Sequence, residues 1–140
     1  MRRAIIAGAA TAAILSTAAL AASSNPALSP PPPKGTGLPA GQCVRSHDFR
    51  NHTVADSRTL LIDYNGKATY RLTMAGSCLA GVTSSDPIVT RDPPGTQWVC
   101  KPIDLDVAVA VNGFRTPCIV ESIVKMSPAE VAALPRRLKP

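Results

Sequence analysis

Aromatic residues are scarce in this 140-residue chain: Trp98, Tyr64, Tyr70, Phe49 and Phe114 are the whole stock. The core must therefore be built from Val, Ile, Leu and Met. No two cysteines stand as C-x-x-C, which removes a redox dithiol, a c-type haem site and the usual zinc-ligand spacing. No G-x-S-x-G elbow occurs anywhere. His47 and His52 are the only histidines. No helical pattern separates the apolar strand patterns, which excludes a parallel α/β fold with crossover helices. Acidic residues are few as well, nine against fifteen basic ones, for a formal charge of +6.

What is present begins with an address. Met1-Arg2-Arg3 is a short basic stretch, followed by an apolar run from Ala4 to Leu20. Ala19-Leu20-Ala21 then offers small residues at the −3 and −1 positions of a cleavage site. Residues 1–21 are read as a signal peptide, leaving a chain that starts at Ala22 with no membrane span. The alanine-rich run inserts weakly, which argues against a retained anchor. Arg2-Arg3-Ala4-Ile5 lacks the surroundings of a twin-arginine signal, and no cysteine follows the run to accept a lipid. General export to a periplasmic or secreted location is expected. Without Arg2 and Arg3 the charge falls to +4, a mild attraction for polyanions. Residues 22–42, with Pro30-Pro31-Pro32-Pro33 at their centre, read as a proline-rich linker in an extended polyproline II conformation. The folded part is expected over 43–135, with 136–140 as a basic tail.

Cys43, Cys78, Cys100 and Cys118 all fall in that folded part. An even count in a small exported domain reads as a disulfide framework, each bridge worth about 2–4 kcal/mol. The pairing follows from the strands. Asp104 to Val111 and Phe114 to Val120 alternate around Asn112-Gly113, the strongest two-residue hairpin signal. Val111 then faces Phe114, Val109 faces Thr116 and Val107 faces Cys118. One face holds Leu105, Val107, Val109, Val111, Phe114, Cys118 and Val120; the other carries Asp104, Asp106, Arg115 and Glu121. Cys100 would lie about seven positions, roughly 20 Å, from Cys118 along this ladder. Cys43–Cys118 with Cys78–Cys100 is therefore the preferred pairing, and the crossed alternative stands second.

A second hairpin spans Thr59–Tyr64 and Ala68–Met74 around Asn65-Gly66. A three-residue loop ending at Gly66 in the left-handed conformation pairs Asp63 with Lys67 and keeps Leu60, Ile62, Tyr64, Ala68, Tyr70 and Leu72 on one face. The other face is polar apart from Leu61. Val44–Phe49 is a first strand, and Pro87–Thr90 and Gln97–Cys100 are short strands around Asp92-Pro93-Pro94-Gly95. Ser127-Pro128-Ala129-Glu130 is a capping box that opens one or two helical turns. The expected fold is all-β, a small sandwich or open barrel of antiparallel hairpins with a short C-terminal helix and two disulfides.

These features together resemble a family of small exported four-cysteine proteins of Gram-negative bacteria whose function is uncharacterised. The matching residues are Cys43, Asp56-Ser57-Arg58-Thr59-Leu60, Tyr70-Arg71-Leu72 before Cys78, Trp98-Val99-Cys100, and Cys118-Ile119-Val120 leading to Ser127-Pro128-Ala129-Glu130. The resemblance implies an address outside the cytoplasm and paired cysteines. It brings no catalytic residues.

Candidate chemistry is thin. Ser46-His47-Asp48 has triad residue types, but strand neighbours point to opposite faces and form no relay. A His47/His52 acid–base pair with Lys101 or Arg50, or a metal site with Asp48 or Asp56, competes with solvated rings, and solvated rings are the expectation. Asp104-Leu105-Asp106 sets two carboxylates on one strand face, as calcium sites do, yet without the extra oxygens and loop glycine. Nucleic-acid binding wants exposed aromatics among basic residues; Tyr64 and Tyr70 fall instead on the apolar face, away from Arg71 and Lys67. His47, His52 and Arg71 remain as weak candidates for ligand contact, with no catalytic residue, metal ligand or cofactor assigned. The leading reading is a non-enzymatic binding or structural module of the cell envelope, its partner an anionic envelope polymer or an envelope protein. A secreted hydrolase inhibitor inserting the 79–97 region and a small His-dependent hydrolase are the alternatives.

Overall fold

The computed structural model describes residues 28–92 and 94–140; the expected signal peptide lies outside the described residues, as does the start of the expected linker. The described chain runs β1 (Val44–Arg45), a 3₁₀ turn (Ser46–Asp48), β2 (Phe49–Val54), β3 (Thr59–Tyr64), β4 (Ala68–Met74), β5 (Ile88–Arg91) and β6 (Trp98–Val99). A second 3₁₀ turn (Pro102–Asp104) leads to β7 (Asp106–Val111), β8 (Phe114–Cys118) and β9 (Val120–Lys125), then α1 (Pro128–Ala133) and a last 3₁₀ turn (Arg136–Leu138).

Two Asn-Gly turns organise these strands. Asn112 and Gly113 have φ of 51° and 81°, the left-handed values that a tight hairpin turn needs at both central positions. β7 and β8 pair Val111 with Phe114, Val109 with Thr116 and Val107 with Cys118, the register read from the alternation. Asn65 and Gly66 are likewise left-handed, at 54° and 70°, and Asp63 accepts from the Gly66 N–H at 2.9 Å. Here the loop is residues 65–67: Tyr64 pairs with Ala68 and Asp63 with Thr69, not with Lys67. The register differs by two residues, so every side chain keeps its expected face.

The fold is all-β with one short helix. β2-β3-β4-β9 form a four-stranded antiparallel sheet, β5-β7-β8 a three-stranded one, and β1-β6 a two-stranded ribbon. Leu60, Ile62, Tyr70, Leu72 and Ile123 from the first meet Val107, Val109 and Cys118 from the second, with Val44 and Val99 from the ribbon, in a single buried core. Phe49, Tyr64 and Tyr70 pack together, Tyr64 edge-on to each of the other two and Phe49 tilted against Tyr70, ring centroids 5.8–6.3 Å apart. Burial, with Tyr64 beside it, raises the Tyr70 hydroxyl above its ordinary pKa. Phe114, expected on the core face, is 78% exposed because it stands at the hairpin tip beyond the reach of the opposing sheet.

The residues 114–125 are one extended stretch shared between the two sheets. β8 ends at Cys118, the chain turns at Ile119, and β9 pairs with β4 through Met74–Val120, Leu72–Ile123 and Arg71–Val124. The ladder shifts between Thr73 and Met74, and the Ala75 N–H donates to Ile119 O at 2.8 Å. Pro117 is tolerated because β8 is an edge strand.

The preferred disulfide pairing is overturned. The bridges are Cys43–Cys100 and Cys78–Cys118, the crossed alternative. β1 pairs with β6, Val44 opposite Val99 and Arg45 opposite Trp98, which sets Cys43 and Cys100 next in line. Reading Gln97–Cys100 as the partner of Pro87–Thr90 hid this: β5 pairs with β7 instead. The expected strand Val44–Phe49 is also broken, by the 3₁₀ turn at Ser46–Asp48.

The face of β3 and β4 that reads as polar is buried. Thr53, Thr59, Leu61, Thr69, Arg71, Thr73 and Ser122 are all buried, because both ends of the chain lie across them. Leu28, Met126, Val131, Leu134 and Leu138 gather on Leu61 as a second apolar cluster. The Arg71 guanidinium donates to Ser29 O at 2.8 Å and Pro30 O at 3.3 Å. The part of the expected spacer from Leu28 on thus lies against the domain. Gly35 N–H donates to Glu121 O and Ile123 N–H to Thr36 O, covering the free edge of β9. Leu38 N–H donates to Cys100 O, and an added Cβ at Gly37 would lie 2.6 Å from that carbonyl, so the strap needs glycine there. The expected tail is partly tied down too, with Leu138 buried.

Helix α1 has the expected capping box. The Ser127 hydroxyl accepts from the Glu130 N–H, and Glu130 accepts from the Ser127 N–H at 2.7 Å. Ser29 also donates its hydroxyl to Glu130 at 3.0 Å, joining the helix to the strap. Hydrogen bonds from the Ser127 N–H, the Ser127 hydroxyl and the Ser29 hydroxyl, in that order, hold the Glu130 carboxyl below its ordinary value of 4.5. Lys34 and Arg58, each 2.8 Å from Glu121, lower that carboxyl in the same way.

Peptide mapping without reduction is expected to recover Cys43 linked to Cys100 and Cys78 linked to Cys118. Replacing Cys78 and Cys118 together by Ser should cost about 2–4 kcal/mol in urea unfolding. A carboxyl lowered on folding stabilises the fold above its unfolded pKa, and that contribution is lost as pH falls through the folded value. The urea midpoint is therefore expected to fall below pH 4.5. Glu130→Gln should give a lower midpoint at neutral pH and a shallower decline in acid.

Candidate functional site

The three residues expected to contact a ligand do not come together. His47 lies in the first 3₁₀ turn, half exposed, its Nε2 3.8 Å from Asp48 Oδ1. The turn, rather than strand alternation, sets that spacing, and the Tyr64 hydroxyl donates to the other Asp48 oxygen at 3.2 Å. His52 is on β2 and donates from Nε2 to the Asp86 backbone carbonyl at 3.0 Å, tying the edge strand to the 83–86 turn. There Asp86 accepts from the N–H and hydroxyl of Thr83, which lower its carboxyl, with His52 a lesser contribution. Arg71 is buried on the strap carbonyls. Among the described residues no three metal-ligating side chains converge.

Two further expectations are redrawn. The 79–97 region is not one free loop: Leu79 is buried, and β5 within it is paired along its length with β7. Asp104 and Asp106 do not share a strand face. The strand begins at Asp106, and Asp104 caps the second 3₁₀ turn by accepting from the N–H groups of Cys100 and Lys101 at 3.0 and 2.8 Å.

What the structure does open is a groove of about 580 Å³ on the outer side of the three-stranded sheet. The register sets Val89, Ala108 and Pro117 in one cross-strand row, with Arg91 opposite Asp106 beside it. Valines at 107 and 109 belong to the core, so the outward positions of β7 are Asp106, Ala108 and Ala110, and Ala108 is too small to fill the space beside it. Ile119, where the chain leaves β8 for β9, lines the groove together with the buried Leu105 and Cys118. Ile103 and Ile119 stand on its lip, 81% and 74% exposed, an arrangement of apolar groups that marks binding surfaces more often than ordinary ones.

Arg91, Asp106 and Arg115 are the only charged residues of the lining. Among the described residues none of the three belongs to an ion pair, so two guanidiniums face the groove against one carboxylate. The lining offers no nucleophile, since Cys118 is disulfide-bonded. The chemistry of this groove would suit an apolar body with a negative group beside it. Its volume falls in the usual range of small-molecule sites, about 300–1,000 Å³. The sequence carried a signal for it: Val-Ala-Val-Ala-Val over 107–111 puts small residues on the outward face of a strand. The isolated isoleucines at 103 and 119 carried none, because their exposure depends on the 3₁₀ turn and on the chain corner.

Elsewhere Trp98 is half exposed on β6, with the Arg45 guanidinium stacked 4.8 Å above its ring. Among the described residues no helix is long and apolar enough to cross a membrane. Two disulfides with no free cysteine accord with folding outside the cytoplasm. Comparison with known proteins finds no matching family, no matching curated protein and no matching solved structure.

Substitutions should separate these roles. His47→Ala is expected to change stability by less than about 0.5 kcal/mol. His52→Ala should cost about 1 kcal/mol through the lost bond to Asp86. Arg71→Ala should cost about 2 kcal/mol or more, because it strips two carbonyls and packing from the strap. Urea unfolding of the oxidised protein measures all three.

Proposed function

We propose that the protein is an exported, non-enzymatic binding module of the cell envelope, acting in the periplasm or after secretion. The open apolar groove on the outer side of the three-stranded sheet carries this reading. The four-stranded sheet has its outer face covered by the N-terminal strap and the C-terminal helix, whereas Ile103 and Ile119, in the groove lining beside the three-stranded sheet, are left to solvent. The signal-like N-terminus and the paired cysteines support the address. The two bridges and the strap give the groove fixed walls, and a preorganised site binds without first ordering loops.

A photo-crosslinking residue placed at Ile103 in exporting cells tests it. The expected outcome is an adduct with an envelope component on a chain that has lost residues 1–21, and loss of that adduct when Ala108→Phe fills the groove. A chain retaining residues 1–21, no adduct, or an adduct indifferent to Ala108→Phe would overturn the reading.

A further inference from the structure

We infer that the groove takes a single-chain amphiphile, an unbranched hydrocarbon tail with one anionic head, captured as a monomer. This rests on the binding-module reading and specifies its ligand. The tail follows from the lining: Val89, Ala108, Pro117 and Ile119 are apolar, and the buried Leu105 lines the same groove. Each methylene buried there adds to the affinity, so a long tail supplies most of it.

The head follows from charge. Arg91 is on β5 and Arg115 on β8, the two edge strands, one on each side of β7. Neither belongs to an ion pair among the described residues, and Asp106 offsets only one of them. A carboxylate or phosphate monoester complements the surplus guanidinium, which is suited to bidentate oxygen pairs. A peptide strand is a poorer occupant: Pro117 interrupts the donor row of β8, and small side chains on β7 give no pockets at alternate positions. A flat bilayer surface is poorer too, since the apolar area is recessed between strands rather than displayed on a plane.

The test is an NMR titration of the ¹⁵N-labelled, disulfide-bonded protein with dodecanoate below its micellar concentration, with dodecanol as the uncharged counterpart and anionic vesicles as a third arm. Saturable one-to-one binding is expected, with the shifts centred on Ala108, Arg115 and Ile119. Dodecanol should bind about tenfold more weakly or worse, from the loss of a charge-assisted hydrogen bond. The double variant Arg91→Gln, Arg115→Gln should bind both compounds alike, and Ala108→Phe should bind neither. Ile103→Asp, at an exposed position, should weaken binding and keeps the test sound if Ala108→Phe does not fold. No saturable shift at these residues, equal affinity for the two compounds, binding to vesicles but not monomers, or ligand-free shifts that grow with protein concentration as a second copy fills the groove would each overturn the inference. If dodecanoate fails while the Ile103 adduct in cells survives, the amphiphile is wrong and the binding module stands. If both fail, both fall.

Discussion

The strand from Phe114 to Lys125 has to serve two sheets, and most of the molecule is arranged around that demand. A single extended chain cannot pair with β7 and with β4 in one plane, so the ladder breaks at Ile119 and resumes after a shift. The break places Cys118 within bonding distance of Cys78 in the turn that follows β4. It brings the inner faces of the two sheets together over one core. It also opens the groove, because the backbone that would have continued over the end of β7 has left for the other sheet.

Legibility in the sequence divided along the same line. Local grammar was readable in part: the Asn112-Gly113 turn with its register, the inward faces of β3, β4 and β7, and the Ser127–Glu130 capping box form as their residues dictate, while the Asn65-Gly66 loop closes two residues of register away from the expected pairing. What failed was pairing between segments distant in the chain. β1 and β6 have two residues each, too short for any alternation, yet their pairing decides which cysteine Cys43 meets. The strap gave no apolar period at all; it is held by backbone hydrogen bonds, one buried guanidinium and the absence of a Cβ at Gly37, none of which a pattern of side chains reveals.

Arg71 shows how a polar residue misleads when only its type is considered. On a strand face with Thr59, Asp63 and Thr73 it reads as solvated and available. In the fold its charge is removed from water and compensated by two carbonyls of the strap, and Glu130 of the helix, bonded to the same Ser29, lies close by. Burying a guanidinium is costly unless such partners are supplied, so N-terminal strap, central strand and C-terminal helix hold one another in place. Legible function suffered accordingly: the residue singled out for contact is structural, and the surface left open is made of alanines and isolated isoleucines.

The interleaved order of the bridges has a bearing on survival among proteases. Both span the stretch between Cys78 and Cys100, which contains the turns at 78–86 and at Pro94–Gly95. A peptide bond cut there leaves two pieces tied twice over, with β5 still hydrogen-bonded to β7. Nicking in this stretch would thus yield a two-chain form of the same domain with its groove intact, rather than a pair of fragments free to diffuse apart.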